Sequence, residues 1–277
     1  MSQPTTLPPA PLPGALRIGT SRGILEVREF FREWETVVFT FSLPTLILVL
    51  FSSIFENVTD TPGGMSATEF YLPGLIAMGL MSVSFQNLGI GIANERGNGT
   101  LRRLRGTPMP PAAYFVGKTV LVLILAAGQV ALLLAVARLG YGAALDLGAA
   151  GWFTFAWVLA LGTVSSALLG IAISSAARSV QAASGIVVVP FLVLQFLSGI
   201  FLPVSLLPDG ALTVASLFPL KWMAQGMRAA FYPESAAAME PSGGFELPLV
   251  AGALGAWCVA GLVLCLLTFR WKTAKDG

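Results

Sequence analysis

Histidine is absent from all 277 residues and cysteine occurs only twice. The first absence removes the commonest general base and the commonest metal ligand. The two thiols, Cys258 and Cys265, lie seven apart in one apolar run. That spacing puts them two turns apart on one helical face, too far to bridge within a helix, and gives them the role of small packing residues. Charge is scarce as well: 11% of residues are Asp, Glu, Lys or Arg, where a soluble domain carries about a quarter. No G-x-x-x-x-G-K-[ST] phosphate cradle occurs. The 16 basic and 14 acidic residues nearly cancel, and nothing in them points to nucleic acid. No metal site, no cofactor and no catalytic residue is expected. A membrane-embedded enzyme would need clustered His, Asp or Glu beside its spans, and the chain has no such cluster.

The first 35 residues contain no secretory apolar core. Five prolines among Met1–Pro13 predict a disordered tail over residues 1–14, so insertion is expected to begin with the first span.

Apolar residues are abundant: 55% of the chain is hydrophobic and the mean hydropathy is +0.79. Lipid is the expected solvent. Charges punctuate the sequence and leave long gaps between them. Glu35 to Glu56 encloses 20 uncharged residues, Glu69 to Glu95 encloses 25, and Lys118 to Arg138 encloses 19. Asp146 to Arg178 encloses 31, Arg178 to Asp209 encloses 30, and Glu246 to Arg270 encloses 23. About 20 apolar residues cross roughly 30 Å of hydrocarbon as a helix. The expected class is therefore all-α integral membrane, with six spans at about 37–55, 71–93, 118–138, 151–175, 185–203 and 247–269 inside a membrane domain of residues 37–277. The fourth and fifth gaps exceed one span, so their surplus is expected at the interface or re-entering it.

Orientation follows from the basic residues near span ends. Thirteen fall on one side: Arg17, Arg22, Arg28, Arg32, Arg96, Arg102, Arg103, Arg105, Lys118, Arg178, Arg270, Lys272 and Lys275. Only Arg138, Lys221 and Arg228 fall on the other. Both termini are expected in the cytoplasm. Glu56, Asp60 and six further acids fall outside.

Residues 15–36 read as an amphipathic helix along the cytoplasmic face. Ile24, Val27, Phe30, Phe31 and Trp34 recur at helical spacing, either as a simple anchor or as a contact for a cytoplasmic subunit. The loop after the second span runs Asn94-Glu95-Arg96-Gly97-Asn98-Gly99-Thr100-Leu101-Arg102-Arg103-Leu104-Arg105-Gly106-Thr107-Pro108. Glycines interrupt the span, Thr100 caps a new short helix, and Gly106 with Pro108 ends it. Leu101 and Leu104 share a face expected to be exposed, which calls for a receiving groove on a partner. The other reading is a basic loop pressed on anionic lipid.

Beyond the fifth span, short apolar runs broken by Pro203, Pro208 and Pro219 predict a helical hairpin that dips into the outer leaflet and returns. Such backbone is tolerated only where protein covers it or water reaches it, so it is expected to cap a cavity. Lys221 and Arg228 are expected at headgroup level or on substrate, with Trp222 as an interfacial anchor. Within the spans, Gln86, Asn87, Gln129, Gln195 and Ser198 are polar groups that either contact substrate or bond a neighbouring helix. Phe85, Phe191 and Phe196 form an aromatic wall or pack in the core. Gly162, Ser165, Ser166 and Gly170 predict close helix contact along the fourth span.

Glu95-Arg96 followed by Gly99-Thr100-Leu101, Leu104 and Thr107-Pro108 resembles the permease subunit of ABC-2 type exporters, near the daunorubicin-resistance (DrrB-like) branch. Leu72-Pro73-Gly74, Gly117-Lys118, Ser198-Gly199-Ile200-Phe201-Leu202-Pro203 and Pro219-Leu220 add to the likeness, which runs from about Arg28 to Trp271. The resemblance implies a homodimeric transport subunit of the bacterial cytoplasmic membrane that binds two copies of a separate ABC ATPase. ATP and magnesium belong to that partner. It implies coupling through Glu95, Arg96, Gly99, Thr100, Leu101, Leu104, Thr107 and Pro108, with Phe30, Phe31 and Trp34 contacting the ATPase. It further implies a substrate path beside Phe85, Gln86, Phe191, Gln195 and Phe196, and an outer gate at Pro203, Pro219 and Lys221. Hydrophobic drugs or natural products are the expected cargo, in multidrug efflux or antibiotic resistance. A lipid or lipid-linked glycan is the rival cargo, and a six-span channel or scaffold would leave the coupling loop unexplained.

Overall fold

The computed structural model describes residues 14–55, 64–177 and 179–269. The expected tail over residues 1–14 falls almost wholly outside them, as do Glu56, Asp60, Arg178, Arg270, Lys272 and Lys275. All regular structure among the described residues is helical. Helix α1 (Ala15–Arg32) turns at Glu33 into α2 (Trp34–Ile54). Helix α3 (Ala67–Met81) continues through a π-helical segment (Ser82–Asn87) into α4 (Leu88–Gly97) as one 31-residue rod. The short α5 (Thr100–Arg105) leads to α6 (Pro111–Ala135), with a π-helical end at Val136–Gly140. Helices α7 (Gly148–Ala176), α8 (Val180–Leu197), α9 (Asp209–Ser216), α10 (Pro219–Phe231) and α11 (Leu247–Thr268) complete the bundle.

Five of these rods are long and apolar enough to cross a membrane: α2, α3–α4, α6 with its π end, α7 and α11. The stretch expected as the fifth span is shorter. Helix α8 starts earlier than residue 185 and stops at Leu197, because Gly199 takes φ +70, a left-handed conformation that ends a helix. The surplus of the fourth gap does not re-enter; α7 absorbs it as 29 continuous residues, about 44 Å of helix.

The α3–α4 rod is the axis of the fold. Leu72, Leu75, Ile76, Met78, Leu80 and Met81 are completely buried, enclosed by α2, α6, α7 and α10. The rod starts on a capping box: Ser66 Oγ accepts from Glu69 N, and Glu69 Oε2 accepts from Ser66 N. Small residues set how closely α7 approaches. A Cβ at Gly170 would stand 2.7 Å from the Phe85 carbonyl oxygen, so only glycine lets α7 lie against the π segment. Ser165 and Ser166 are buried on the same helix, and Ser166 reaches the Met223 sulfur at 3.3 Å.

Helix α1 docks on α6 through Gly19 and Gly23. A Cβ at either would stand about 2.5 Å from a Val116 or Val120 Cβ. Leu16, Ile24, Leu25 and Phe31 of α1 stay exposed on the protein's exterior.

A charged corner, a polar cleft and a distal ion pair

Helices α1, α4 and α6 meet on four charged side chains. Lys118 Nζ donates to Glu95 Oε1 at 2.6 Å and lies 2.9 Å from Glu26 Oε2. Arg22 pairs with Glu26 at 2.8 Å and approaches Glu95 at 3.7 Å. Tyr114, fully buried, donates its hydroxyl to Glu95 Oε2 at 2.8 Å, and both cations lie over its ring at 5.3 and 5.4 Å. Two cations and two carboxylates cancel, which is the condition for placing charge in a poorly solvated corner. Beside it, Arg96 turns away from Glu95. Its Nη1 donates to the Ser174 carbonyl at 2.5 Å and its Nη2 to Ser175 Oγ at 3.2 Å, fastening α4 to the end of α7. Glu95 and Arg96 thus bind the rod to α1, α6 and α7.

Helix α5 follows at once. Gly99 has φ +78, and Asn98 Oδ1 accepts from Thr100 N at 3.0 Å. Asn98 therefore makes the cap expected of Thr100, whose hydroxyl instead accepts from Arg103 Nη2 at 3.2 Å. The exposed leucine face also needs correction. Leu101 is 1% exposed and packs with Leu88, Ile92 and Tyr114, while Leu104 is half-buried against the same cluster. The outward face consists of Arg102, Arg103, Arg105, Gly106, Thr107 and Pro108. On α1 and α2, Phe31 and Trp34 are exposed, and Phe30 is half-buried against Phe31 and Phe41.

A cleft of about 440 Å³ opens between α2, the π segment and α8. Gln86, Phe191 and Gln195 line it together with Ser82, Asn87 and Thr36. Phe85 lies behind, its ring 6.5 Å from that of Phe191. Phe196 does not join them. It packs at a tilt against Phe201, ring centres 5.0 Å apart, and is half exposed, so the expected three-ring wall reduces to two. Of the other polar groups, Asn87 donates to Thr40 Oγ1 at 3.1 Å. Gln129 is fully buried beside Gly79 with its amide unpaired.

At the opposite end, α9 and α10 form a tight pair. Trp222 is buried and donates its indole N–H to the Ser216 carbonyl at 2.9 Å, so it braces α9 on α10 and is no surface anchor. Lys221 and Arg228 are buried within the protein too. Arg228 forms a forked pair with Glu240 at 2.5 and 3.1 Å and donates to the Gly199 carbonyl at 3.3 Å. Lys221 Nζ donates to Gln225 Oε1 at 2.7 Å. Burial holds this ammonium below its ordinary value; Glu240 works against that and Arg228 adds to it. Pro219 starts α10, and Pro203 precedes a turn of 3₁₀-helix at Val204–Leu206.

Sequence reasoning missed Arg22, Glu26, Tyr114 and Glu240. For the first two a signal exists, an i,i+4 pair between Gly19 and Val27 on one helix; the other two carry none.

A bundle of membrane-length helices with a polar cleft sunk between two of them defines a multi-pass membrane protein. The chain belongs to the ABC-2 type transporter family, whose pattern matches residues 19–232. It is similar to the inner membrane transport permease YadH of Escherichia coli strain K12, at 24% identity over 91% of this chain and 92% of that protein. The proteins of that name from Escherichia coli O157:H7 and Shigella flexneri match to the same extent. Membership makes this chain a multi-pass membrane subunit of an ABC transporter, a class that pairs with an ABC ATPase.

Proposed function

We propose that the chain is the permease of an ATP-driven exporter that moves hydrophobic or amphipathic compounds, drugs among them, outward across a bacterial inner membrane. The cleft between α2, the π segment and α8 carries this reading. It sets unpaired amides and an aromatic ring beside a gap large enough for a small molecule, on helices whose other faces are apolar. Polar walls left against lipid are costly, so a second copy of the chain closes the cleft in the working dimer. In this topology α8 serves as a short fifth of six spans, both termini are cytoplasmic, and α9–α10 re-enters from outside as the gate.

Two copies of an ABC ATPase, which hold ATP and magnesium, dock on the arginine face of α5 and on Phe31 and Trp34. Because Leu101, Glu95 and Arg96 tie α5 to α1, α4, α6 and α7, a push on α5 moves those helices together and pivots them about the cleft. The test is ATPase stimulation of the purified complex across a panel of drugs and lipids. Amphipathic drugs are expected to stimulate; stimulation by an undecaprenyl-linked glycan and by no drug overturns the assignment.

A further inference from the structure

We infer that the cleft selects cations, so that its ligand is an amphipathic compound bearing positive charge. The consequence for transport rests on the export reading above; the binding itself does not. Among the described residues that line the cleft, Glu35 is the one charged group and none is a lysine or arginine. Gln195 is 97% buried, being 3% exposed, yet neither it nor Gln86 has a hydrogen-bond partner among the described residues. Gln86 is half-buried, and the two side chains face the same gap, so their amides are open to whatever fills it. Their carbonyl oxygens and the Phe191 ring attract a cation. Amide N–H groups would serve an anion equally, and the Glu35 carboxylate decides the sign.

A second cleft, of about 430 Å³, adjoins the first. It lies between α1, α4 and α6, and both clefts are lined by Thr36 and Asn87. Its charged residues are Glu26, Glu29, Glu33 and Glu95 against Arg22 and Lys118. The two cations are spent on Glu26 and Glu95, which leaves Glu29 and Glu33 uncompensated there. Among the described residues, the Glu33 carboxylate accepts only from the Thr36 hydroxyl, at 3.2 Å. Arg28 and Arg32 stand exposed on the same helix but line neither cleft. An acidic strip from Glu29 through Glu33 to Glu35 thus borders the two clefts, and it raises the local concentration of cations.

The probe is tetraphenylphosphonium, with tetraphenylborate as its counterpart of the same shape and opposite charge. Binding is measured to the full-length chain in lipid nanodiscs, over nanodiscs without protein. Saturable binding of the cation alone is expected. Glu33→Gln with Glu35→Gln, both exposed and so harmless to folding, is expected to weaken it about tenfold, and Gln195→Leu to weaken it severalfold. Equal binding of the two ions, or cation binding unmoved in the double glutamine variant, overturns the inference. Charge-selective binding without ATP-driven movement of the cation in vesicles would instead sink the export reading and leave the cation site standing.

Discussion

Glu95 and Lys118 meet at 2.6 Å where α4 and α6 come together, and Lys118 reaches Glu26 of α1 from the same position. One ammonium therefore holds three helices. Removing it leaves two carboxylates to share Arg22, in a corner where Glu26 is 9% and Glu95 19% exposed. Lys118→Met is expected to destabilise the chain by about 3 kcal/mol, at the lower end for a broken buried pair because Glu95 keeps some solvent. Adding Glu95→Gln should restore part of that loss, as read by unfolding of the purified chain in nanodiscs.

The two faces of α5 separate folding from coupling. Leu101→Asp places a charge in a fully packed position and is expected to abolish assembly, seen as loss of a monodisperse purified species. Reversing Arg102, Arg103 and Arg105 to Glu should leave the fold and thermal stability intact while ATP-dependent transport is lost. Undiminished transport in the triple variant contradicts docking on this face.

Gly170 is expected to tolerate no larger residue. A Cβ there meets the Phe85 carbonyl at 2.7 Å, and backbone cannot yield as a flexible side chain can. Gly170→Val should cost about 2 kcal/mol and impair cargo binding, because the displaced π segment carries Gln86. A thermal melt paired with a binding isotherm checks both.

Lys221 gives the α9–α10 end a pH signature. Its folded value lies below its unfolded one through burial, so the folded state resists charging. The penalty is fully present below the folded value and fades as pH rises toward the ordinary lysine value of about 10.5. The melting temperature of the parent chain should therefore gain on that of Lys221→Gln as pH rises toward about 10.5. Parallel melting curves contradict a desolvated ammonium.

Much of this was legible in the sequence because lipid makes a strict demand. Charge-free gaps located the apolar helices, since a charge within hydrocarbon is costly, and Gly99 and Gly106 marked the bounds of α5. The inward turn of Leu101 was not legible. Whether a leucine in a short loop helix faces a partner or its own bundle depends on α4 and α6, dozens of atoms contributed from elsewhere in the chain. The same holds for Lys221 and Arg228, which read as surface cations until Gln225 and Glu240 are brought beside them. Helical periodicity placed Gln86 and Gln195 in separate segments. The family resemblance set both beside one path, and the tertiary fold brings them to one cleft.

The most direct test of the account is ATP-driven movement of an amphipathic dye in inside-out vesicles containing this chain and its ATPase. Accumulation that requires ATP and magnesium and fails in Gln195→Leu is the predicted result. Dye movement that proceeds without ATP, or that ignores changes at Gln86 and Gln195, would contradict it.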